Sequence, residues 1–225
     1  MSAGLPPKLA VLISGRGSNM TAIVRACLAG AIAARPVVIS DRADAAGLAS
    51  ARELGVETLV LSPGSGGSRA LEPGLATVLE AHQPDVIALA GFMRILSAPF
   101  VARYLGRMLN IHPSLLPAYR GLHTHRRVLA AGDREHGASV HFVTAELDSG
   151  PVVLQSKVAV RPDDTEATLG ARVLATEHVI YPRALGWFAA RRLAWRDGAA
   201  WLDERRLDEP IVEDFRAATD LSSVP

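Results

Sequence analysis

Short aliphatic runs alternate with segments of helical periodicity over the first half of the chain. Strands are predicted at residues 8–13, 36–40, 56–61, 85–90 and 108–111, and helices at about 18–29, 44–54, 70–81 and 97–104. Apolar strands separated by helices are typical of a parallel sheet that is covered on both faces. The pattern therefore predicts an α/β fold with an open, mostly parallel, doubly wound sheet.

The pattern changes after residue 111. A short helix is predicted near 125–132, followed by added strands at 138–143 and 151–160, a long helix at about 164–191, and a hairpin within 193–202. The hairpin is centred on Asp197-Gly198, a dipeptide typical of tight turns. Residues 211–225 are polar, so we expect a loosely held tail after a single domain that spans residues 1–210.

Composition narrows the class of protein. The 225 residues are 49% hydrophobic, carry a formal net charge of +1, and include one cysteine, Cys27. The interspersed charges lack the basic footprint of nucleic-acid or membrane-surface binding. Apolar runs are too short for a membrane span, and a lone cysteine fits a reducing cytosol. We therefore expect a cytoplasmic protein with neither kind of partner.

A glycine loop, SGRGSN, joins the first predicted strand to the first predicted helix. Gly15 and Gly17 let the backbone turn tightly, and the amides of Gly17, Ser18 and Asn19 can face an anion at the positive end of the helix. The loop matches a dinucleotide fingerprint only in part, with Asp41 as the acidic candidate. A tight turn without a ligand, with Asp41 as a cap or turn residue, remains the alternative.

The segment LNIHPSLLPAYRGLHTH contains three of the seven histidines of the chain. Asn110 and His112 alternate at the end of a predicted strand, where open α/β sheets collect their chemistry. An amide donor beside a histidine suits the stabilisation of an oxyanion, and Asp148 would orient the imidazole if it reached it. A structural histidine is the alternative. A metal site with His123 and His125 is disfavoured because further ligands are lacking.

Several segments together resemble those of a known family. They are LISGRGSN, SDRADAAGLA, LAGFMRIL, LNIHPSLLPAYRGLHTH, GASVHFVTAELDSGPVVLQ and TEHVIYP. They resemble the folate-dependent phosphoribosylglycinamide formyltransferases, which belong to the wider formyltransferase group. The resemblance runs from about residue 8 to residue 205, and GLHTH together with the glycine loop is its most specific part.

The resemblance implies a function and a set of site residues. It implies transfer of a formyl group from 10-formyltetrahydrofolate, a cosubstrate, to the glycine amine of 5'-phosphoribosylglycinamide, without a metal, by a monomer or homodimer. The N-terminal half would bind phosphate, and the C-terminal half would bind folate and carry the catalytic residues Asn110, His112 and Asp148. The ribonucleotide would contact Gly17, Ser18, Asn19 and Glu177. Folate would contact Arg69, Met93, Arg94, Ile95, Leu96, Asn110, Thr144, Ala145, Glu146, Leu147 and Asp148.

Residues 62–75 depart from the acid- and aromatic-rich pattern of this family, and Pro73 and Gly74 are expected to disturb the helix there. Formyltetrahydrofolate hydrolases share the three catalytic residues but carry an extra N-terminal domain, for which the chain leaves no room before residue 8. Methionyl-tRNA formyltransferases add a C-terminal domain with a basic surface. A nucleotide-binding module built on Gly15 and Gly17 is the alternative from another class.

Overall fold

A computed structural model describes residues 5–61 and 68–217 of the chain. Its first half contains β1 (Lys8–Ile13), α1 (Ser18–Leu28), β2 (Arg35–Ser40), α2 (Ala46–Glu53), β3 (Thr58–Val60), α3 (Ser68–His82), β4 (Val86–Leu89), α4 (Ala98–Arg103) and β5 (Met108–His112). The second half contains α5 (Thr124–Ala131), β6 (Glu135–Phe142), β7 (Val152–Ala159), α6 (Glu166–Ala189), β8 (Leu193–Arg196), β9 (Ala199–Leu202), β10 (Arg205–Arg206) and β11 (Ile211–Asp214).

The main sheet has eight strands in the order β11-β7-β6-β5-β4-β1-β2-β3. Neighbouring strands from β5 through β4, β1 and β2 to β3 are parallel, whereas β6 is antiparallel to both β5 and β7. The predicted α/β class with a mostly parallel sheet and added strands is therefore confirmed. β5 lies inside the sheet between β4, which is parallel to it, and β6, which is antiparallel to it. The strand direction therefore reverses between β5 and β6.

Side chains of β1 alternate between two buried clusters because successive residues of a strand point to opposite faces. Leu9, Val11 and Ile13 pack with α1, α2 and α6, whereas Ala10 and Leu12 pack with α3 and α4. Both faces of the sheet are therefore covered, as the continuous apolar strands predict. No helix within the described ranges is both long enough and apolar enough to span a bilayer.

Two details differ from the sequence analysis. α3 runs continuously through Pro73, so the expected disturbance is wrong. The expectation of a loosely held tail from residue 211 is also wrong for Ile211–Asp214, which form β11 and pair in parallel with β7. The edge of β7 supplies the backbone partners for this short strand, and the sequence of a four-residue segment does not reveal such a partner.

Tyr181 of α6 ties the helix to the sheet. Its side chain is fully buried, and its hydroxyl group lies 2.9 Å from the carbonyl oxygen of Leu109 and 3.1 Å from that of Leu89. Tyr181→Phe should lower the free energy of unfolding by about 1–2 kcal/mol, because buried carbonyl groups lose a donor. Urea denaturation measures this loss.

Tyr104→Phe provides the matched control for Tyr181→Phe. The Tyr104 hydroxyl is also buried but has no hydrogen-bond partner in the part of the chain that the structure describes. Its removal should change the free energy of unfolding by less than about 0.5 kcal/mol or stabilise the protein. Equal losses in the two variants would show that the Tyr181 hydrogen bonds are not what stabilises the helix on the sheet.

Candidate active site

A cavity of about 540 Å³ lies beside the carboxyl ends of β4 and β5 and is bordered by the segments that follow β4, β5 and β6. This is the edge at which open α/β sheets bind their ligands. Asn110 and His112 of β5 and Asp148, from the loop after β6, all line it. The structure therefore brings the three predicted catalytic residues into one cavity.

His112 and Asp148 face each other within this cavity. His112 Nδ1 lies 3.4 Å from Asp148 Oδ2, and the two side chains are only 8% and 7% exposed. His112 Nε2 lies 3.0 Å from the backbone oxygen of Tyr119, which can only accept, so this nitrogen carries a proton. In a neutral ring with its proton on Nε2, Nδ1 has no hydrogen to donate. Nδ1 could donate to the Asp148 carboxylate only if both ring nitrogens carried a proton. The Asp148 carboxylate lies within 3.4 Å of the ring nitrogen of His112 that does not contact Tyr119.

The loop that carries Asp148 is held in place by backbone contacts. The amide of Gly121 donates to Asp148 Oδ2 at 2.9 Å, which ties the loop after β5 to the loop after β6. Asp148 adopts a positive φ of 50°, which aspartate tolerates better than most residues. Gly150 follows, and a Cβ at that position would lie 1.8 Å from the Phe142 oxygen. Only glycine permits this close approach.

His141 is a site residue that the sequence analysis missed. It pairs with Asn110 in the antiparallel register of β5 and β6, and the Asn110 amide nitrogen lies 3.1 Å from His141 Nε2. His141 Nδ1 donates to the Phe142 oxygen at 2.9 Å. Burial lowers the pKa of His141, so it is neutral and its Nε2 accepts the Asn110 N–H. Its 3.7 Å approach to Asp148 is therefore not an ion pair.

Most of the predicted folate residues also line the cavity. These are Met93, Arg94, Ile95, Leu96, Asn110, Thr144, Ala145, Glu146, Leu147 and Asp148. Met93 and Ile95 are 73% and 74% exposed although they are large apolar side chains, so the cavity offers uncovered hydrophobic surface. The backbone of Arg69 belongs to α3, but its side chain lies outside what the structure describes.

Residues 91–96, here termed the wall segment, line one side of the cavity. Its Met93 amide donates to Ser14 Oγ at 2.9 Å, and the Ser97 amide donates to Glu72 at 2.5 Å. Arg94 Nε donates to Asp41 Oδ2 at 2.6 Å. Asp41 therefore neither caps α2, whose N-cap is Ala45, nor presents a free carboxylate to a ribose. Asp41 is therefore not available as the acidic residue that the dinucleotide-binding alternative requires.

The glycine loop begins α1 and lies outside the lining of this cavity. Gly17 is the N-cap with a φ of 71°, and the first helical hydrogen bond runs from the Thr21 amide to the Gly17 oxygen. The amides of Gly17, Ser18 and Asn19 precede that bond, and such amides have no partner within the helix. A Cβ on Gly17 would lie 3.0 Å from Gly47 Cα, so the loop packs directly on the start of α2.

Asn19 and Glu177 form a buried pair behind this loop. The Asn19 amide donates to Glu177 Oε2 at 2.6 Å, and burial raises the pKa of Glu177. Sequence reasoning placed both residues at one ligand, and the structure joins them although 158 positions separate them. Neither residue belongs to the lining of the main cavity.

Of the two remaining histidines of the segment, His125 has a side-chain partner, whereas His123 makes no side-chain capping bond. His125 lines the cavity, and its Nδ1 lies 2.9 Å from His136 Nε2. Burial lowers the pKa of His136 to about 4 and lowers that of His125 as well, so both rings are neutral at pH 7. His123 is the N-cap of α5 with a φ of 58° and also lines the cavity.

Comparisons with known proteins identify the family of this chain. Residues 7–185 match the family described as formyl transferase. The chain is 53% identical over 201 residues to the phosphoribosylglycinamide formyltransferase of Escherichia coli, covering 88% of this chain and 95% of that protein. It is 43% identical to that of Haemophilus influenzae, covering 89% and 95% of the two chains.

A solved structure extends the agreement to the fold. The phosphoribosylglycinamide formyltransferase of Coxiella burnetii superposes with a TM-score of 0.84 at 45% identity, covering 92% of this chain and 99% of that one. Sequence and fold thus agree over nearly the whole length of the relatives. The chain therefore belongs to the formyl transferase family, and within it to the group formed by the phosphoribosylglycinamide formyltransferases.

Proposed function

We propose that this enzyme transfers the formyl group of 10-formyltetrahydrofolate to the glycine amine of 5'-phosphoribosylglycinamide in purine biosynthesis. The observation that carries the proposal is the convergence of Asn110, His112 and Asp148 on one cavity with apolar walls. The names of the relatives that match over nearly their whole length support the same reaction.

The proposed reaction proceeds through a tetrahedral intermediate. The neutral substrate amine attacks the formyl carbon, and the formyl oxygen becomes negatively charged. Asn110 donates one amide hydrogen to His141, which leaves its second N–H for that oxygen. A protonated His112 supplies a positive charge close by, and Asp148 stabilises that charge. Donors held in a buried site act on developing charge without reorganisation.

Proton transfer completes the proposed reaction. The attacking nitrogen loses a proton as the bond from N10 of the folate to the formyl carbon breaks, and N10 gains one. Asp148, directly or through a water molecule, relays this proton and is regenerated. The products are the formylated ribonucleotide and tetrahydrofolate, so atoms and charges balance without a covalent enzyme intermediate.

The cavity walls suit the folate. Met93, Ile95, Leu96 and Leu147 supply apolar surface for its ring system, and residues 144–148 supply backbone polar groups at the rim. Arg94 adds a guanidinium group, whose planar fork matches a carboxylate. Folate carries carboxylates on its glutamate portion, so Arg94 is the cation in the lining that we assign to the folate.

The ribonucleotide is assigned to the glycine loop. Its phosphate would accept hydrogen bonds from the amides of Gly17, Ser18 and Asn19 at the positive end of α1. Glu177, held by Asn19, would contact the ribonucleotide beyond the phosphate. We therefore assign phosphate binding to the N-terminal half of a single domain over residues 1–210, and folate binding with catalysis to its C-terminal half.

Product analysis tests the proposed function. The enzyme is incubated with 10-formyltetrahydrofolate, with and without glycinamide ribonucleotide, and the acceptor is examined by mass spectrometry. We expect formylated ribonucleotide and no folate turnover without the acceptor. Formate release without the acceptor would instead identify a hydrolase, and absence of turnover in both reactions would contradict the proposal. The same assay run in a chelator tests the proposed independence of metal.

The setting of the enzyme is part of the proposal. We propose that it works in the cytoplasm on small-molecule substrates, as a monomer or homodimer, without a nucleic-acid or membrane partner. The near-neutral net charge of +1 supports this, because a polyanionic surface would find little attraction. Light scattering across enzyme concentrations tests the oligomeric state.

A further inference from the structure

We propose that Asp41 is a positioning residue for the folate site. It holds the guanidinium group of Arg94 in the orientation that meets the cosubstrate. The inference rests on the proposed function, in which Arg94 contacts the folate. Asp41 directly follows β2 and Arg94 lies in the segment after β4, so the pair joins two loops that are 53 positions apart in sequence.

The geometry of the ion pair supports this role. Arg94 Nε donates to Asp41 Oδ2 at 2.6 Å, while the Asp41 side chain is 1% exposed and that of Arg94 is 34% exposed. The contact uses only the inner nitrogen of the guanidinium group. The two terminal nitrogens carry four N–H donors that this bond does not engage. Asp41 thus fixes one edge of the group and leaves the forked end for a ligand.

Asp41 is a costly way to stabilise the fold. Its second oxygen, Oδ1, is buried and has no hydrogen-bond partner among the residues that the structure describes. A buried carboxylate that is only partly satisfied costs free energy, and apolar replacements of buried ion pairs are often neutral or stabilising. Asp41 does not cap the following helix either. The use that remains is to orient Arg94.

The backbone around Arg94 is already fixed by other contacts. The Met93 amide is bound to Ser14 on one side, and Ser97 is bound to Glu72 on the other. Without Asp41, the part of Arg94 that stays free is its long side chain, which has many rotamers to lose when a ligand binds. Ordering that side chain before the ligand arrives removes a cost from binding. Asp41 should therefore act on folate affinity.

The test compares Asp41→Ala, Asp41→Leu and Asp41→Asn in the full chain, alone and in an Arg94→Ala background. Steady-state kinetics give kcat and the two KM values, and calorimetric titration with a non-reactive folate analogue gives the Kd. Asp41→Leu fills a similar volume without an acceptor and covers the case in which the alanine variant does not fold. Asp41→Asn retains an oxygen that can accept from Arg94 Nε.

We expect Asp41→Ala and Asp41→Leu to raise the folate KM and the analogue Kd by about tenfold, with kcat and the ribonucleotide KM changed by less than about twofold. Asp41→Asn should stay within about threefold of the original folate KM. In the Arg94→Ala background, Asp41→Ala should have no further effect, because the two residues act as one unit.

An unchanged folate KM in Asp41→Ala and Asp41→Leu would overturn the inference. It would also be overturned if Asp41→Ala raised the folate KM in the Arg94→Ala background by the same factor as in the original enzyme. A merely structural role would lower the melting temperature and change both KM values together, which also contradicts it. Failure of the original enzyme to formylate the ribonucleotide or to bind the analogue is a distinct result, since it removes the proposed function itself.

Discussion

His112→Ala should lower kcat by about a hundredfold or more, which is the usual scale for the loss of a group that moves protons or stabilises charge. The imidazole sits between Asp148 and the Tyr119 carbonyl and is 8% exposed, so water cannot readily replace it. Because the proposed mechanism uses the His112 charge chiefly in the tetrahedral intermediate, the KM values should change much less than kcat. Stopped-flow measurement of folate absorbance checks both quantities.

His82→Ala is the control for this variant. His82 lies at the end of α3, where its Nδ1 contacts the Val78 oxygen, and it does not line the cavity. His82→Ala should keep kcat within about twofold of the value for the original enzyme. Near-normal turnover of His112→Ala would remove His112 from the proposed mechanism.

Asp148→Asn should also lower kcat strongly, by about a hundredfold, while folate binding is retained. Asparagine has nearly the same shape, and its oxygen can still accept from the Gly121 amide, so the two loops stay joined. The substitution removes the negative charge beside His112 and, in the proposed mechanism, the group that relays the proton. Titration with the folate analogue should give a Kd within about threefold of the original.

Asp133→Asn is the control for the removal of a carboxylate that contacts the loop after β5. Asp133 accepts from the Tyr119 hydroxyl at 2.6 Å and is not part of the cavity lining. Its kcat should remain within about twofold. If Asp148→Asn retained both kcat and the original pH-rate profile, Asp148 would not be coupled to His112.

The parts of this molecule that the sequence could predict rest on local periodicity. The apolar strands of the first half identify a parallel sheet, because each is short, continuous and followed by a helix. Asn110 and His112 could be placed on one side of a strand end by alternation alone. The contact between His112 and Asp148 could not be predicted from local periodicity, because only the tertiary fold brings this loop residue to this strand residue.

His141 shows why part of the site could not be predicted. It faces Asn110 because β6 runs antiparallel to β5 in one register, and a shift by one residue would turn it to the other face. Nothing within ASVHFV encodes that register. The pairing of Asp41 with Arg94 is hidden for the same reason, since it depends on the order β4-β1-β2 and on two loop conformations.

The bond between the Gly121 amide and Asp148 Oδ2 has a further consequence. The same oxygen faces His112, so the segment after β5 cannot swing away from the cavity without releasing the carboxylate that polarises the imidazole. Displacement of this segment would remove one of the contacts that hold Asp148 against His112. The position of the segment after β5 and the pairing of Asp148 with His112 are therefore coupled, so a displacement of the segment is transmitted to the histidine.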